Sequence, residues 1–147
     1  MIPRTLAFLG LAALLVGCAR TETFQVTVIN HTPSALSVGL IKTGPLEKGW
    51  DAPVDIAKAD PKLMEKHWSQ AVAPQSTATL GPQTGTIDSH TTALLRVYVG
   101  DLPIEELLAI SRTGGRRMDI PIQPGKSAFI IDMKDGSLCA QSVPPKP

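Results

Sequence analysis

The segment Ser127–Val143, SAFIIDMKDGSLCAQSV, carries the strongest folding signal in the chain. Asp135-Gly136 lies between two stretches of alternating apolar residues, and this dipeptide is typical of the two-residue turn of a β-hairpin. Because a two-residue turn fixes the register, Met133 should lie opposite Leu138. The pattern therefore predicts a C-terminal hairpin. The face that we expect to point into the core carries Phe129, Ile131, Met133, Leu138 and Ala140.

The same alternation recurs in shorter stretches towards the N-terminus. Residues 24–28 and 36–40 flank the turn-forming residues 30–34, and this arrangement predicts a first hairpin. Residues 94–100 and 118–122 predict two further strands, the second at a sheet edge because Pro121 cannot donate to a ladder. The residues that we expect to face the core in these strands are Phe24, Val26, Val28, Leu36, Val38, Leu40, Leu95, Val97, Val99, Met118, Ile120 and Ile122.

Two segments depart from the β pattern. The segment Asp60–Trp68 predicts a short helix between strands, with Asp60 as the N-cap and Pro61 in the first helical position. The segment Pro103–Ile110 fits either of two structures. Its early glutamates suit the start of a helix. Its later apolar residues also alternate as in a strand, and the strand is the interpretation that we favour.

These patterns indicate one all-β domain over residues 24–143, with one short helix in a connection. Seven to nine short strands separated by Gly and Pro turns are typical of a two-sheet sandwich, of which the immunoglobulin-like fold is one form. The Cys and Trp pattern of true immunoglobulin domains is absent from the sequence. A small open β-barrel is the alternative. The prolines of the tail, residues 144–147, should end the last strand because they offer no donors for pairing.

Residues 1–17 have the pattern of a cleaved export signal and not of a folded domain. Arg4 supplies the positive charge, and the apolar run Leu6–Val16 follows it. A membrane-spanning helix needs about 20 apolar residues. The run is therefore too short to remain as a transmembrane helix.

The apolar run ends in Leu15-Val16-Gly17-Cys18. These four residues resemble the lipobox of bacterial lipoproteins. The resemblance implies that Cys18 receives a diacylglyceryl group, that the chain is cut before Cys18, and that a further acyl chain usually caps the new terminus. Each buried methylene contributes about 0.8 kcal/mol, so two or three chains anchor a protein durably. Residues 18–23 would then form a tether, and Ala19 favours the outer over the inner membrane, with the domain facing the periplasm or the cell surface.

The charges of the chain balance once the signal is removed. Of the 14 lysines and arginines, only Arg4 lies in residues 1–17, which leaves 13 basic residues against 13 acidic ones. Nucleic acids and anionic membrane surfaces attract proteins with a basic excess, so neither is expected as an electrostatic partner. Cys139 is the one thiol left after acylation of Cys18, so no disulfide within the domain is expected.

The sequence carries no recognisable catalytic or metal-binding motif. His31, His67 and His90 have none of the His-x-x-x-His, His-x-His or Cys-x-x-Cys spacings that place two metal ligands together, and we expect neither a metal nor a cofactor. Cys139 should lie opposite Asp132 in the hairpin, where a carboxylate neighbour opposes formation of the thiolate that a nucleophile requires. We therefore expect a half-buried structural cysteine and no enzymatic activity.

Three residues are candidates for contacts with a ligand or partner. Arg116 and Arg117 follow the turn residues 113–115, whose backbone donors could bind a phosphate or carboxylate together with the two guanidinium groups. A hairpin turn explains the Gly-Gly pair equally well and is the favoured interpretation. Trp50 lies in a loop and could offer an aromatic platform to a sugar or a protein. Because aromatic residues are scarce, core packing is favoured for both Trp50 and Trp68.

The sequence thus predicts a membrane-tethered β domain that acts as a non-catalytic binding or structural module in the cell envelope. Docking on another envelope protein would require an apolar patch or an unpaired edge strand. Binding of a small ligand or a carbohydrate is the alternative and would require a concave pocket with a few polar groups. An enzyme would require converging titratable groups, for which the sequence gives no sign.

Overall fold

The structure, a computed structural model, describes residues 18–144. The predicted signal peptide and residues 145–147 of the predicted tail lie outside the described residues. Eight strands form within the described range, in agreement with the seven to nine expected. They are β1 (Arg20–Asn30), β2 (Leu36–Lys42), β3 (Gln70–Val72), β4 (Thr77–Ile87), β5 (Ala93–Val99), β6 (Arg117–Pro121), β7 (Gly125–Lys134) and β8 (Ser137–Ser142). Two short α-helices, α1 (Pro53–Ala59) and α2 (Ile104–Leu108), and a 3-10 turn over Pro61–Leu63 lie in the connections.

The strands form two four-stranded sheets that pack face to face. The first sheet has the order β4-β1-β7-β8 and the second has the order β3-β2-β5-β6. Strands β1 and β7 run parallel, and the other neighbours within each sheet are antiparallel. The predicted two-sheet sandwich is confirmed, and the fold is not the alternative open barrel. The strand orders differ from the ABED and CFG sheets of an immunoglobulin constant domain.

The core between the sheets follows from the alternation of apolar residues in the strands. On β1, Phe24, Val26 and Val28 are buried, while the residues between them are partly exposed. The same alternation in β5 places Leu95 and Val97 in the core, as predicted. These side chains pack against the opposite sheet, and their apolar surface is removed from water. This hydrophobic burial is the main contribution that holds a sandwich together.

The C-terminal hairpin forms in the predicted register, with Met133 opposite Leu138. Asp135 and Gly136 both have positive φ values, 53° and 78°, as the tight hairpin turn requires. Met133 and Leu138 are partly buried and pack at the margin of the core. The prediction is wrong for Ala140, which is exposed. Its strand β8 lies at the edge of the first sheet, where the short strand β6 of the second sheet provides little cover.

The predicted first hairpin is wrong, because β1 and β2 belong to different sheets. Residues 30–35 carry the chain across the sandwich. Asn30 stabilises this crossing: its buried side chain donates to the carbonyls of Ser34 and Val72 and accepts from the N–H of Thr32. Alternation of apolar residues shows which side chains point inwards but not which sheet a strand joins.

The helices differ from their predicted positions. The predicted helix over Asp60–Trp68 is reduced to the 3-10 turn, which Asp60 caps by accepting from the N–H of Lys62. The longer helix α1 lies just before it and was not predicted. The segment Pro103–Ile110 contains helix α2, so the favoured strand is wrong and the helical alternative is correct.

Strand β1 begins inside residues 18–23, the segment predicted as a tether. Strand β1 begins at Arg20, which already pairs with Ile87 of β4. Only Cys18 and Ala19 of the described chain precede the sandwich. Within residues 18–144, no helix is long and apolar enough to span a membrane.

Candidate functional site

A groove on the outer face of the second sheet brings together three arginines. Helices α1 and α2 cover part of this face through a second apolar cluster that includes Ile41, Tyr98 and Leu107. Two adjoining hollows of about 440 and 340 Å³ lie beside this cluster. Four residues line both hollows: Val54, Arg96, Arg112 and Arg117. We call the two hollows together the arginine groove.

The register between β5 and β6 positions two of these arginines. Arg96 lies opposite Asp119, and Tyr98 lies opposite Arg117. Arg96 donates from Nε and Nη2 to the two carboxylate oxygens of Asp119 at 2.7 and 2.8 Å, a bidentate pair. Arg117 donates from Nη2 to the same carboxylate at 3.2 Å, and its guanidinium carbon lies 5.8 Å from the centre of the Tyr98 ring. Both guanidinium groups are therefore fixed in place by an ion pair, one of them also by a cation–π contact.

The two arginines keep Asp119 ionised. Burial raises the pKa of Asp119, but the hydrogen bonds from Arg96 and Arg117 outweigh it and hold the pKa below the ordinary aspartate value. Burial likewise opposes the charge of Arg96, and the Asp119 carboxylate outweighs it, so the pKa of Arg96 is raised. Asp119 and Arg96 thus form a charged pair at neutral pH.

Arg112 completes the groove and leaves it with a positive charge. It is exposed, and among residues 18–144 no carboxylate lies within 4 Å of its guanidinium group. Asp119 neutralises one of the three arginines. An anion that enters the groove would therefore meet two uncompensated positive charges.

The sequence identified Arg117 as a candidate but missed Arg96 and Arg112. Arg116, the other candidate, is exposed and lines a different hollow with Leu102 and Glu106. The loop before Arg117 is an ordinary turn in which Gly115 has a φ of 75° and lies against Ser137. The one local sign of Arg96 is its position between outward-facing Leu94 and Tyr98 in a strand, which does not reveal its partner 23 residues away.

Neither tryptophan offers an aromatic platform. Trp50 is 3% exposed, its ring meets Phe24 edge-to-face at 5.4 Å, and its Nε1 donates to the carbonyl of Thr84. Its candidacy as a contact residue is therefore wrong, and the favoured core packing is correct. Trp68 is 4% exposed, and its Nε1 donates to the carbonyl of Asp51.

The histidines and Cys139 lie at the surface. The Nδ1 atom of His67 lies 2.7 Å from Oδ1 of Asp101. His31 and His90 are exposed in loops. Across the described part of the chain, no group of three or more His, Cys, Asp or Glu residues has the geometry to hold a metal ion. Cys139 lies opposite Asp132, as predicted, but it is exposed and not half-buried, because it points away from the core on the edge strand β8.

Strand β8 gives the first sheet an open edge. The N–H of Leu138 points away from β7 and donates to the carbonyl of Gly115. The N–H of Val143 points towards β7 and donates to the carbonyl of Ala128. Because the direction alternates along a strand, the backbone groups of Ala140 and Ser142 point outwards. Within residues 18–144 the N–H groups of these two residues have no hydrogen-bond partner.

The opposite edge of the first sheet, strand β4, is covered. Trp50 donates to the carbonyl of Thr84, Lys42 donates to the carbonyl of Thr86 at 3.0 Å, and Glu47 accepts from the N–H of Thr86. Natural edges are commonly guarded by such cover, by charges or by prolines. Strand β8, which reads SLCAQS, has neither a charge nor a proline.

Comparison of the chain with protein-family models, curated proteins and solved structures finds no match.

Proposed function

We propose that this chain is a lipid-anchored protein of the bacterial cell envelope, a non-catalytic accessory module that docks on another envelope protein through the open edge of β8. The lipobox-like residues ending at Cys18 support the anchor. The unguarded backbone of Ala140 and Ser142 is the observation that carries the docking. The paired Asp119 supports the non-catalytic part of the proposal, since a carboxylate held ionised by two arginines is a weak general base.

The occupant that fits the open edge is an extended segment of the partner protein. Such a segment adds a strand to the sheet, and its backbone supplies the hydrogen bonds that Ala140 and Ser142 lack. Apart from the partly buried Leu138, the side chains of β8 are exposed, and none of them carries a charge that would repel an added strand. Closing the edge would also remove the aggregation risk that an unguarded strand presents.

The anchor and the open edge lie towards opposite ends of the first sheet. Ser142 lies opposite Phe129, which in turn lies opposite Val28 of β1. At the usual rise of about 3.3 Å per strand residue, Val28 is about 26 Å along the strand from Arg20. From Ser142 the edge runs further away from Cys18 towards the hairpin turn. A lipid on Cys18 would therefore present the edge to partners away from the membrane surface.

The substitution Ala140→Pro tests the docking. A proline at residue 140 removes the outward N–H and adds a ring on the open side, but it leaves the hydrogen bonds to β7 intact. Ala140→Thr is the matched control, because it keeps the N–H and suits a strand. A photo-crosslinking residue in place of the exposed Gln141 would be activated in intact cells, and the adducts would be identified by mass.

We expect an adduct with one envelope protein that persists in Ala140→Thr and is lost in Ala140→Pro at an equal level of folded protein. An adduct that survives Ala140→Pro would contradict docking through this edge. An adduct with twice the mass of the chain would identify a second copy as the occupant and would contradict the role of an accessory to another protein.

A further inference from the structure

We propose that the arginine groove binds a small organic anion, a carboxylate or phosphate group carried on a short apolar body. The groove lies on the outer face of the second sheet, whereas the open edge belongs to the first sheet. The proposal therefore stands independently of docking at β8 and of the lipid anchor.

Free hydrogen-bond donors in the groove point to an anionic ligand. A guanidinium group has five N–H donors, and Arg117 uses one of its nitrogens, Nη2, to hold Asp119. Arg112 has no carboxylate partner among residues 18–144. Planar guanidinium groups match carboxylates and phosphates in a bidentate geometry. The two arginines can therefore bind one anionic group without disturbing the pair between Arg96 and Asp119.

The groove is organised before a ligand arrives. The side chains of Arg96 and Arg117 are only 11% and 12% exposed, and Asp119 holds both in place. Ordering a long side chain on binding costs affinity, and this cost is largely absent where the side chain is already fixed. Partial burial also strengthens the attraction of these charges for an anion, because the surrounding medium is less polar than water.

The walls of the groove require an apolar body on the ligand. Val54 of α1 and Leu108 of α2 are 39% and 40% exposed, unusually open for large apolar side chains in this domain. Leu94 and Ile110 contribute further apolar surface. The two hollows, about 440 and 340 Å³, are in the usual size range of small-molecule sites. A free inorganic anion would leave this apolar surface in water.

Calorimetric titration of the full native protein, with phosphatidylcholine nanodiscs to hold any lipid that it carries, tests the proposal. The probes are hexanoate, hexyl phosphate, hexylammonium and acetate, each also titrated into empty nanodiscs. We expect saturable binding of hexanoate, hexyl phosphate or both, with weaker binding of acetate and none of hexylammonium. Whether hexanoate or hexyl phosphate binds more tightly identifies the natural anionic group as a carboxylate or a phosphate.

Two arginine variants locate the site. Arg112→Gln removes an exposed guanidinium from the groove and should weaken binding at least about 10-fold, as expected for loss of a charge-assisted hydrogen bond. Arg116→Gln removes an exposed guanidinium nearby that does not line the groove and should leave the affinity unchanged. Equal thermal unfolding of both variants would show that the fold is kept. The proposal is overturned if neither anion binds, if acetate binds as tightly as hexanoate, or if the two variants weaken binding equally.

Discussion

The Nε1 atom of Trp50 donates a hydrogen bond to the carbonyl oxygen of Thr84 across 2.8 Å. This bond brings a loop residue into the core, where its ring lies against Gly85 and meets Phe24 edge-to-face. A Cβ atom at Gly85 would lie 2.8 Å from the indole, so the strand leaves space for this ring. Trp50 therefore fills the core and covers the edge of β4 at the same time.

Removing the Trp50 side chain should strongly destabilise the domain. Trp50→Ala leaves a cavity between the sheets and frees the Thr84 carbonyl, and we expect the free energy of unfolding to fall by about 3–5 kcal/mol. Urea unfolding followed by circular dichroism measures this loss. Leu46→Ala is the control, since Leu46 is 73% exposed and should change stability by less than about 0.5 kcal/mol. A loss below about 1 kcal/mol for Trp50→Ala would contradict the core role of Trp50.

The hairpin turn depends on the backbone conformation of Gly136. Its φ is 78°, and nothing lies within 4 Å of a Cβ atom added there, so Gly136→Ala should act through the backbone alone. We expect a loss of about 1 kcal/mol in urea unfolding. Gly114→Ala is the matched control, because Gly114 has no positive φ and an added Cβ would have only ordinary contacts. Equal losses in the two variants would argue against a strained turn.

The ion pairs of Asp119 should make stability depend on pH. Because its pKa is lowered in the folded protein, the ionised carboxylate adds stability above the ordinary value of 3.8, and this contribution is lost as the pH falls through the lowered value. Asp119→Asn should therefore destabilise the domain at pH 7 and cost progressively less below pH 3.8. Urea unfolding across this range measures the difference, with the exposed Glu65→Gln as control. A cost that is constant with pH would rule out the ion pairs as its source.

Cys139 should react freely in the folded protein. It is exposed on β8 and points away from the core, so maleimide should label the native domain without prior unfolding. Cys139→Ser should change the free energy of unfolding by less than about 0.5 kcal/mol. Labelling that appears only on addition of urea would show that the thiol is covered.

The proposed anchor depends on Cys18 and not on the second cysteine. Native protein should carry lipid on Cys18 by mass spectrometry and partition into a detergent phase, because two or three acyl chains dominate its solubility. Cys18→Ser should abolish lipid labelling and yield either a soluble domain or an unprocessed precursor. Cys139→Ser should remain lipidated. An unmodified Cys18, or a mature terminus elsewhere, would refute the anchor.

The features that the sequence predicted correctly are determined by residues that lie close together along the chain. Asp135-Gly136 specifies its own turn, and alternation identified Phe24, Val26 and Val28 as core residues. The parallel pairing of β1 with β7 was not predictable, since in-and-out alternation carries no information on which strands become neighbours. The arginine groove was missed for the same reason. Arg96 finds Asp119 only through the register of β5 and β6, and sequence spacing does not encode that register.

The central position of β1 in the first sheet also determines how the domain bears mechanical load. Under the proposed anchor and docking, a pull at Cys18 that a partner on β8 resists acts along β1, tends to slide it past β7, and reaches β8 through the β1–β7 and β7–β8 ladders. The hydrogen bonds of both ladders lie across that motion and share the force. The strand that follows the proposed attachment point is therefore loaded in shear across its ladders.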